Sequence, residues 1–187
     1  SRIVDWKDRS TCVFFGDGAG ALLLDGPTRQ PGILGAYIAS DGGNSSCIRA
    51  PACESRYADF ESNSAFNSPP PPGHFSMVGR EVYEFAVKAL PRAVRTLLEA
   101  LELPIDVVDM LVSHQANINI IRTGLQELGI SQDKAFINLD RYGNTSAASV
   151  PIAFHEARSD GHINEGDRAM LVGFGGGLTW GSALIQV

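Results

Sequence analysis

Cysteine is scarce in this chain. Its 187 residues include three cysteines, Cys12, Cys47 and Cys53, and none of them forms a CxxC pair. An odd number without paired spacing argues against a disulfide framework. We therefore expect a reducing, cytoplasmic environment.

Long apolar runs and excess positive charge are also lacking. No run approaches the roughly 18 apolar residues that a membrane helix needs, so we expect no membrane span. The net charge of −6 and the isoelectric point near 5.1 argue against a general nucleic-acid binder, because neutralising phosphates requires clustered Lys and Arg. The 44% hydrophobic content is typical of a globular protein that buries a sizeable core.

The first residues of the chain resemble an internal segment of a longer sequence. It opens at Ser1 with no targeting pattern, and the first apolar segment, Thr11–Phe15, follows almost at once. Thr11–Phe15 and Ala19–Asp25 are typical of two strands joined by the tight turn Gly16–Gly18. We expect the chain to be part of a longer polypeptide.

The remaining pattern alternates strands with helices. Ile33–Ser40 predicts a third strand, and residues 44–75 predict a long surface loop that covers a binding site. Apolar residues from Val82 to Leu101 recur at helical spacing, and Pro91 is expected to kink or split that helix. Further along, the patterns predict strands at Met110–Ser113, Lys134–Asn138, Arg168–Val172 and Ser182–Val187, and helices at Asn117–Leu128 and Thr145–Arg158. The sequence therefore predicts a layered α/β domain with a mixed sheet.

Two familiar motifs are incomplete. The stretch from Gly16 to Ala21 fits a loose dinucleotide fingerprint, but the segment after it is too short for the required helix. His155 and Glu156 begin a zinc-protease HExxH motif in which Ser159 replaces the second histidine. We interpret the first as a glycine turn and His155, like His74 and His162, as a surface histidine, and expect no metal site.

Three other stretches place useful groups at strand ends. His114 follows the Met110–Ser113 strand, Asn144 precedes a predicted helix, and Gly175–Gly177 offers bare backbone amides. Ligands of α/β sheets bind at such strand ends. A buried structural role for His114 and a turn or helix-cap role for Asn144 remain alternatives. Together, however, an imidazole and a carboxamide can donate hydrogen bonds to one oxyanion or enolate oxygen.

These stretches resemble a known family. The sequences His114-Gln115-Ala116-Asn117, Gly143-Asn144-Thr145-Ser146-Ala147-Ala148-Ser149 and Gly173-Phe174-Gly175-Gly176-Gly177-Leu178-Thr179-Trp180-Gly181-Ser182 resemble β-ketoacyl-acyl-carrier-protein synthase III. Together with Phe15-Gly16-Asp17-Gly18-Ala19-Gly20-Ala21, they occur in the family's order and spacing. The similarity spans the whole chain but covers only the C-terminal half of such an enzyme.

The resemblance implies a thiolase-like α/β fold. Each half of such an enzyme has a mixed five-stranded sheet with helices on both faces, layered α-β-α-β-α in the complete, usually homodimeric protein. Residues 1–187 would then form the C-terminal domain, with residues 1–25 alternatively the end of the N-terminal half. The implied reaction is a decarboxylative Claisen condensation of an acyl-CoA starter with malonyl-acyl carrier protein, which initiates fatty-acid synthesis.

The resemblance also implies residue roles. His114 and Asn144 would hold the malonyl thioester carbonyl, the Gly176 amide would contribute to an oxyanion hole, and Phe174 would lie against the malonyl carboxylate. Arg9, Gly79 and Asn117 match positions that bind coenzyme A. The resemblance implies no tightly bound cofactor, with acyl-CoA and malonyl-acyl carrier protein as substrates.

Two departures from the family leave alternatives open. The nucleophile's motif is absent, so the N-terminal half must supply a cysteine or a serine. At the expected carrier-protein surface, Glu84, Asn119, Gln126 and Glu127 stand where Arg or Lys is usual, with Arg80, Lys88 and Arg122 nearby as substitutes. The alternatives are an acyltransferase or polyketide-type condensing enzyme of secondary metabolism, and a non-catalytic dimerisation half. We expect side chains of the N-terminal half to shape the pocket for the starter acyl chain.

Overall fold

The computed structural model describes residues 3–26, 32–50 and 73–187. Most of the predicted long loop, together with Cys53, lies outside the described residues. The elements in chain order are β1 Ile33–Ser40, β2 Ile48–Arg49, β3 Ser76–Met77, α1 Gly79–Ala100, β4 Met110–Ser113, α2 Ile118–Leu128, α3 Leu139–Tyr142, α4 Ser149–Ser159, β5 Arg168–Gly175 and β6 Thr179–Gln186. Alternation of strands and helices is confirmed, and β1 and β4 have the predicted bounds.

The central sheet is mixed, as predicted, but within the described residues it has four strands and not the five that the resemblance implies. Its strands lie in the order β1-β6-β5-β4; β4 is parallel to β5, and the other pairs are antiparallel. The strand predicted at Lys134–Asn138 is wrong within the described residues, because only an isolated bridge joins Ala135 to Leu111. The Gln115 side-chain NH₂ donates to the Phe136 carbonyl, and its oxygen accepts from the Asn138 N–H. These two backbone groups are therefore not available to pair with a neighbouring strand.

Helices cover both faces of this sheet. On one face, α1 and α2 pack against alternate residues of β4, β5 and β6, including Leu111, Met170 and Leu184, all of which are fully buried. On the other face, α4 packs against Met110, Val112 and their neighbours on β5. Alternation along the strands therefore produces two apolar cores, one on each side.

Helix α1 runs unbroken through Pro91, so the predicted split is wrong. Pro91 cannot donate a backbone hydrogen bond, but it is buried in the apolar face that holds the helix on the sheet. Helix α2 has the predicted bounds within a residue, with the Asn117 side chain capping its start and Gly129 in the left-handed conformation at its end. No helix in the described part is long and apolar enough to cross a membrane.

The two strands predicted at the start of the chain are wrong. Residues 11–14 form turns, and Phe15 makes only an isolated parallel bridge to Asn144. Residues 19–25 have no regular secondary structure and no partner strand among the described residues, and the side chain of Leu23 is 96% exposed. Their apolar pattern suits a sheet, but a strand forms only where a neighbour completes its ladder. No helix follows Gly16–Ala21, which agrees with the interpretation of that motif as a glycine turn.

Gly16 makes the closest backbone approach in the described part. A Cβ atom at this position would lie 1.9 Å from the Tyr142 carbonyl oxygen. Absence of a side chain lets the Gly16 N–H donate to the Asn144 carbonyl at 3.0 Å, while the Asn144 N–H donates to the Phe14 carbonyl at 2.8 Å. The glycine motif therefore fixes the loop that carries Asn144.

We predict that Gly16→Ala lowers the free energy of unfolding by roughly 2 kcal/mol or more, because backbone must move to admit the methyl group. Urea unfolding of the complete protein measures this. The matched control is Gly26→Ala, where a Cβ meets nothing within 4 Å and little change is expected. Equal effects of the two substitutions would contradict the packing role.

Candidate active site

His114 is positioned by the end of strand β4. Its backbone N–H donates to the Val172 carbonyl at 2.7 Å, which extends the parallel pairing with β5 by one residue. Pairing stops there because the chain turns toward the start of α2. The imidazole therefore stands at the carboxyl edge of two parallel strands, where the sequence predicted it.

The turn after His114 is fixed by a buried glutamine. Gln115 is 1% exposed, and its side-chain amide donates to the Ser113 carbonyl at 2.8 Å and to the Phe136 carbonyl at 3.3 Å. Its oxygen accepts from the Asn138 N–H at 3.2 Å. A buried amide with its donor and acceptor satisfied holds neighbouring backbone rigidly. Gln115 thereby locks the backbone that carries the imidazole.

The imidazole of His114 is held on one side by a hydroxyl. Its Nδ1 lies 2.6 Å from the Oγ of Ser149, the first residue of α4. Burial lowers the pKa of His114 to about 4, since a charged ring would lose its hydration there. The ring is therefore neutral near pH 7.

Asn144 is oriented by its own loop. Its Oδ1 accepts a hydrogen bond from the Ser146 N–H at 2.8 Å, which identifies the oxygen and leaves the NH₂ group as the free end. Ser146 has a left-handed φ of 55°, which is uncommon for a residue other than glycine. The backbone at Ser146 is therefore strained, and in this conformation the NH₂ group of Asn144 is presented as a hydrogen-bond donor.

His114 and Asn144 line the same cavity, which has a volume of about 690 Å³. Phe174 and Gly176, at and beyond the end of β5, also line it, and the Phe174 ring meets the imidazole edge to face with centroids 5.2 Å apart. The four residues predicted to be catalytic are thus brought together around one space.

The rest of this cavity is largely apolar. No Asp, Glu, Lys or Arg of the described residues lines it. Its apolar side chains include Phe15, Ile48, Phe75, Met77, Val82 and Ile120. Low polarity strengthens any hydrogen bond to a charge that develops there.

This arrangement can stabilise a negative oxygen, but no cysteine of the described residues lines the cavity. Cys12 and Cys47 do not line the cavity, and the Cys47 thiol is 2.7 Å from a Glu81 carboxylate oxygen. Two neutral donors without an acidic or basic partner suit the binding of a carbonyl that becomes an enolate or oxyanion.

The residues predicted to bind coenzyme A do not line this cavity. Gly79 begins α1, between Met77 and Val82 of the cavity wall, and Asn117 caps α2 beside the wall residue Ala116. Arg9 is exposed in the turn that precedes Thr11. Gly79 and Asn117 therefore adjoin the cavity in the sequence, whereas the structure provides no contact that links Arg9 to it.

Arg80, Lys88 and Arg122 are the basic residues expected to form a carrier-protein docking surface, and the charge of Arg80 is partly neutralised by an ion pair. The Arg80 Nε donates to a Glu84 carboxylate oxygen at 2.9 Å within the first turns of α1. Lys88 and Arg122 are exposed on α1 and α2, which pack against each other. Glu84 stands where a basic residue was expected, and it also forms an ion pair with Arg80, one of the nearby basic residues.

Comparison with known proteins gives a consistent result. Residues 98–187 match the family described as 3-oxoacyl-[acyl-carrier-protein] synthase III C terminal, and residues 1–42 match 3-oxoacyl-[acyl-carrier-protein] synthase III. A β-ketoacyl-[acyl-carrier-protein] synthase III of Clostridium acetobutylicum is 43% identical over 186 residues, covering 100% of this chain and 55% of the relative. The chain thus spans about half the length of the curated relatives it matches.

Solved structures agree. The 3-oxoacyl-[acyl-carrier-protein] synthase III of Aquifex aeolicus superposes with a TM-score of 0.84 at 37% identity, covering 98% of this chain and 54% of that one. The priming β-ketosynthase of the R1128 polyketide pathway superposes with a TM-score of 0.77 at 27% identity, covering 99% and 54%.

The fold and site define an α/β protein of the thiolase-like class, as predicted from the resemblance. Within that class, the chain belongs to the 3-oxoacyl-[acyl-carrier-protein] synthase III family.

Ser149 and Gln115 belong to the motifs that resemble the family, but the sequence predicted no role for either. Ser149 lies 35 residues from its partner His114, and no local spacing connects them. Gln115 is next to His114, and a glutamine at the end of a buried strand was a usable signal, because a buried amide must find several partners. The apolar wall residues Phe15 and Phe75 meet edge to face, with centroids 4.7 Å apart, although 60 positions separate them in the chain.

The lowered pKa of His114 predicts a pH-dependent stability. Between about pH 6.5 and pH 4 the unfolded histidine binds a proton and the folded one does not, so stability falls as the pH drops through this window and then levels off. From pH 7 to pH 5 the loss is about 2 kcal/mol. Urea unfolding at both pH values, compared with His114→Gln, isolates this loss from that of other groups. An equal loss in the variant would contradict the buried neutral state.

Proposed function

We propose that this chain is the C-terminal half of a β-ketoacyl-acyl-carrier-protein synthase III, which condenses an acyl-CoA starter with malonyl-acyl carrier protein and releases carbon dioxide. His114 and Asn144 donate hydrogen bonds to the malonyl thioester oxygen, and the nucleophile comes from the rest of the protein. The single observation that carries the proposal is that both side chains line one apolar cavity, with the His114 Nδ1 beside the Ser149 hydroxyl and the Asn144 Oδ1 accepting from the Ser146 N–H.

The geometry fits the difficult step of this reaction. When a malonyl thioester loses carbon dioxide, negative charge moves onto the thioester oxygen as an enolate. Two preorganised donors favour that charge over the neutral carbonyl, which is the differential binding that lowers a barrier. The Phe174 ring, beside His114, would present an apolar surface to the malonyl carboxylate and favour its departure as neutral carbon dioxide. The Gly176 amide would serve the other step, in which the acyl group forms a tetrahedral intermediate.

The sheet also has a surface that suits the missing half. Ile38 of the edge strand β1 is 84% exposed, and it shares a row with Gly181 and Gly173 on the neighbouring strands. The next row is Ala36, Ala183 and Leu171. Small residues let a helix approach a sheet closely. This surface lies on the α4 side of the sheet, and all six of its residues also line the cavity. We propose that a helix of the N-terminal half covers it and presents the nucleophile at its first turn.

This arrangement predicts a strong effect of charge at Ile38. In the complete protein, Ile38→Glu would bury an unpaired carboxylate and lower the free energy of unfolding by about 2–4 kcal/mol. Ile38→Val, which keeps the surface apolar, is the matched control and should cost about 1 kcal/mol. Thermal unfolding of the three proteins measures both. A change within about 0.5 kcal/mol for the Glu variant would show that this surface faces water.

The assigned roles predict that the two half-reactions separate. In the complete protein, His114→Ala should lower decarboxylation of malonyl-acyl carrier protein by about 100-fold or more, because an oxyanion donor is lost. Transfer of an acyl group from acyl-CoA to the nucleophile should change little. Release of labelled carbon dioxide and mass spectrometry of the acyl-enzyme follow the two steps separately.

The matched control for that experiment is His155→Ala. His155 is an exposed histidine on α4 that does not line the cavity, and both steps should proceed as in the unaltered protein. Equal loss of the two steps in His114→Ala would reject the role of His114 as the enolate donor.

A second candidate is a polyketide-type priming enzyme or an acyltransferase of secondary metabolism. The similarity to the R1128 priming ketosynthase and the Arg80–Glu84 ion pair at the expected carrier surface favour it. Failure of a fatty-acid carrier protein as malonyl donor, with normal loading from acyl-CoA, would select this alternative.

The remaining assignments complete the proposal. Arg9, Gly79 and Asn117 would contact coenzyme A at the mouth of the cavity, no tightly bound cofactor is needed, and the complete enzyme would act as a cytoplasmic homodimer. Support for Gly79 and Asn117 comes from their position beside cavity-lining residues. Arg9 depends on the family resemblance alone.

A further inference from the structure

The hydroxyl of Ser149 is the polar neighbour of the His114 ring in the described part of the chain. Ser149 is 2% exposed, and its Oγ lies 2.6 Å from the His114 Nδ1. The same oxygen accepts a hydrogen bond from the Gln115 N–H at 3.3 Å. Ser149 therefore contacts both the ring and the backbone just beyond it.

The single hydroxyl proton decides how these contacts are arranged. A backbone N–H can only donate, so the Oγ acts as an acceptor toward Gln115. If Nδ1 also donated to it, the hydroxyl proton would be left in a buried place without an acceptor, which is unfavourable. If instead the hydroxyl donates to Nδ1, every group is satisfied. Nδ1 must then carry no proton, and in the neutral ring the proton sits on Nε2.

We infer that Ser149 is a positioning residue that holds His114 in the tautomer with its proton on Nε2. Because Nδ1 is turned toward Ser149, Nε2 is the nitrogen left for the cavity that Asn144 and Phe174 also line. The opposite tautomer would present a lone pair to the substrate oxygen and repel the charge that develops there. The low pKa of His114 makes this choice matter, since a neutral ring has only one N–H to donate.

The inference rests on the proposed function for its consequence in catalysis, but the tautomer can be measured without any reaction. The complete protein is labelled with ¹⁵N-histidine, and the His114 nitrogens are identified by their loss in His114→Gln. We expect the proton on Nε2 in the unaltered protein and a measurable fraction on Nδ1 in Ser149→Ala. A proton on Nδ1 in the unaltered protein, or identical spectra in the two proteins, would overturn the inference.

The kinetic arm separates positioning from general damage. Ser149→Ala should lower the kcat for malonyl decarboxylation by about tenfold, the effect of losing one tautomer-directing hydrogen bond, with the KM for the malonyl substrate nearly unchanged. Acyl loading from acyl-CoA should be unaffected. Ser149→Thr, which keeps the hydroxyl, should recover the Nε2 tautomer and most of the rate.

The matched control is Ser159→Ala, the same change at the exposed other end of α4, where the hydroxyl donates to the His155 carbonyl. It should change neither the spectrum nor the rate. Equal loss of both half-reactions in Ser149→Ala, with the His114 tautomer unchanged, would mean a merely structural role. If the unaltered protein shows the Nε2 tautomer but decarboxylates no malonyl thioester, the proposed function fails while the inference about Ser149 stands.

Discussion

The site depends on one constraint, namely that its two donor side chains have their acceptor atoms occupied by the chain itself. Ser149 lies against Nδ1 of His114, and the Ser146 N–H donates to the Oδ1 of Asn144. An imidazole or a carboxamide free to rotate would present lone pairs to a substrate as often as N–H groups. With these atoms engaged, only donors remain for the cavity, and the electrostatic preorganisation exists before any ligand arrives.

The fold supports this constraint from three directions. Strand β4 and its parallel neighbour β5 bring His114 and Phe174 to one edge of the sheet. The N-terminal segment clamps the Asn144 loop through hydrogen bonds at Phe14 and Gly16, where a side chain on the glycine would collide with the Tyr142 carbonyl. Buried Gln115 then ties the His114 turn to Phe136 and Asn138. The rigid backbone on all three sides limits how far the side chains of His114 and Asn144 can move.

The wrong strand predictions share one physical cause. Thr11–Phe15, Ala19–Asp25 and Lys134–Asn138 have the composition of strands, yet a strand needs a neighbour to receive its hydrogen bonds. For Lys134–Asn138 the Gln115 side chain takes two of those groups, and for Ala19–Asp25 no described strand lies alongside. The predicted split at Pro91 is wrong for a related reason, because its buried face keeps α1 on the sheet despite one lost hydrogen bond.

What the sequence determined by itself was the identity of the useful groups and their place at strand ends. Apolar periodicity predicted β1, β4 and α2 closely, and the motifs around His114, Asn144 and Gly176 predicted that they meet. Tertiary structure alone decided how the two donors are oriented, because Ser149 and His114 come together only when α4 packs across the end of β4. Hydrogen-bond direction depends on distances of a few tenths of an ångström between residues far apart in the chain, which no local pattern records.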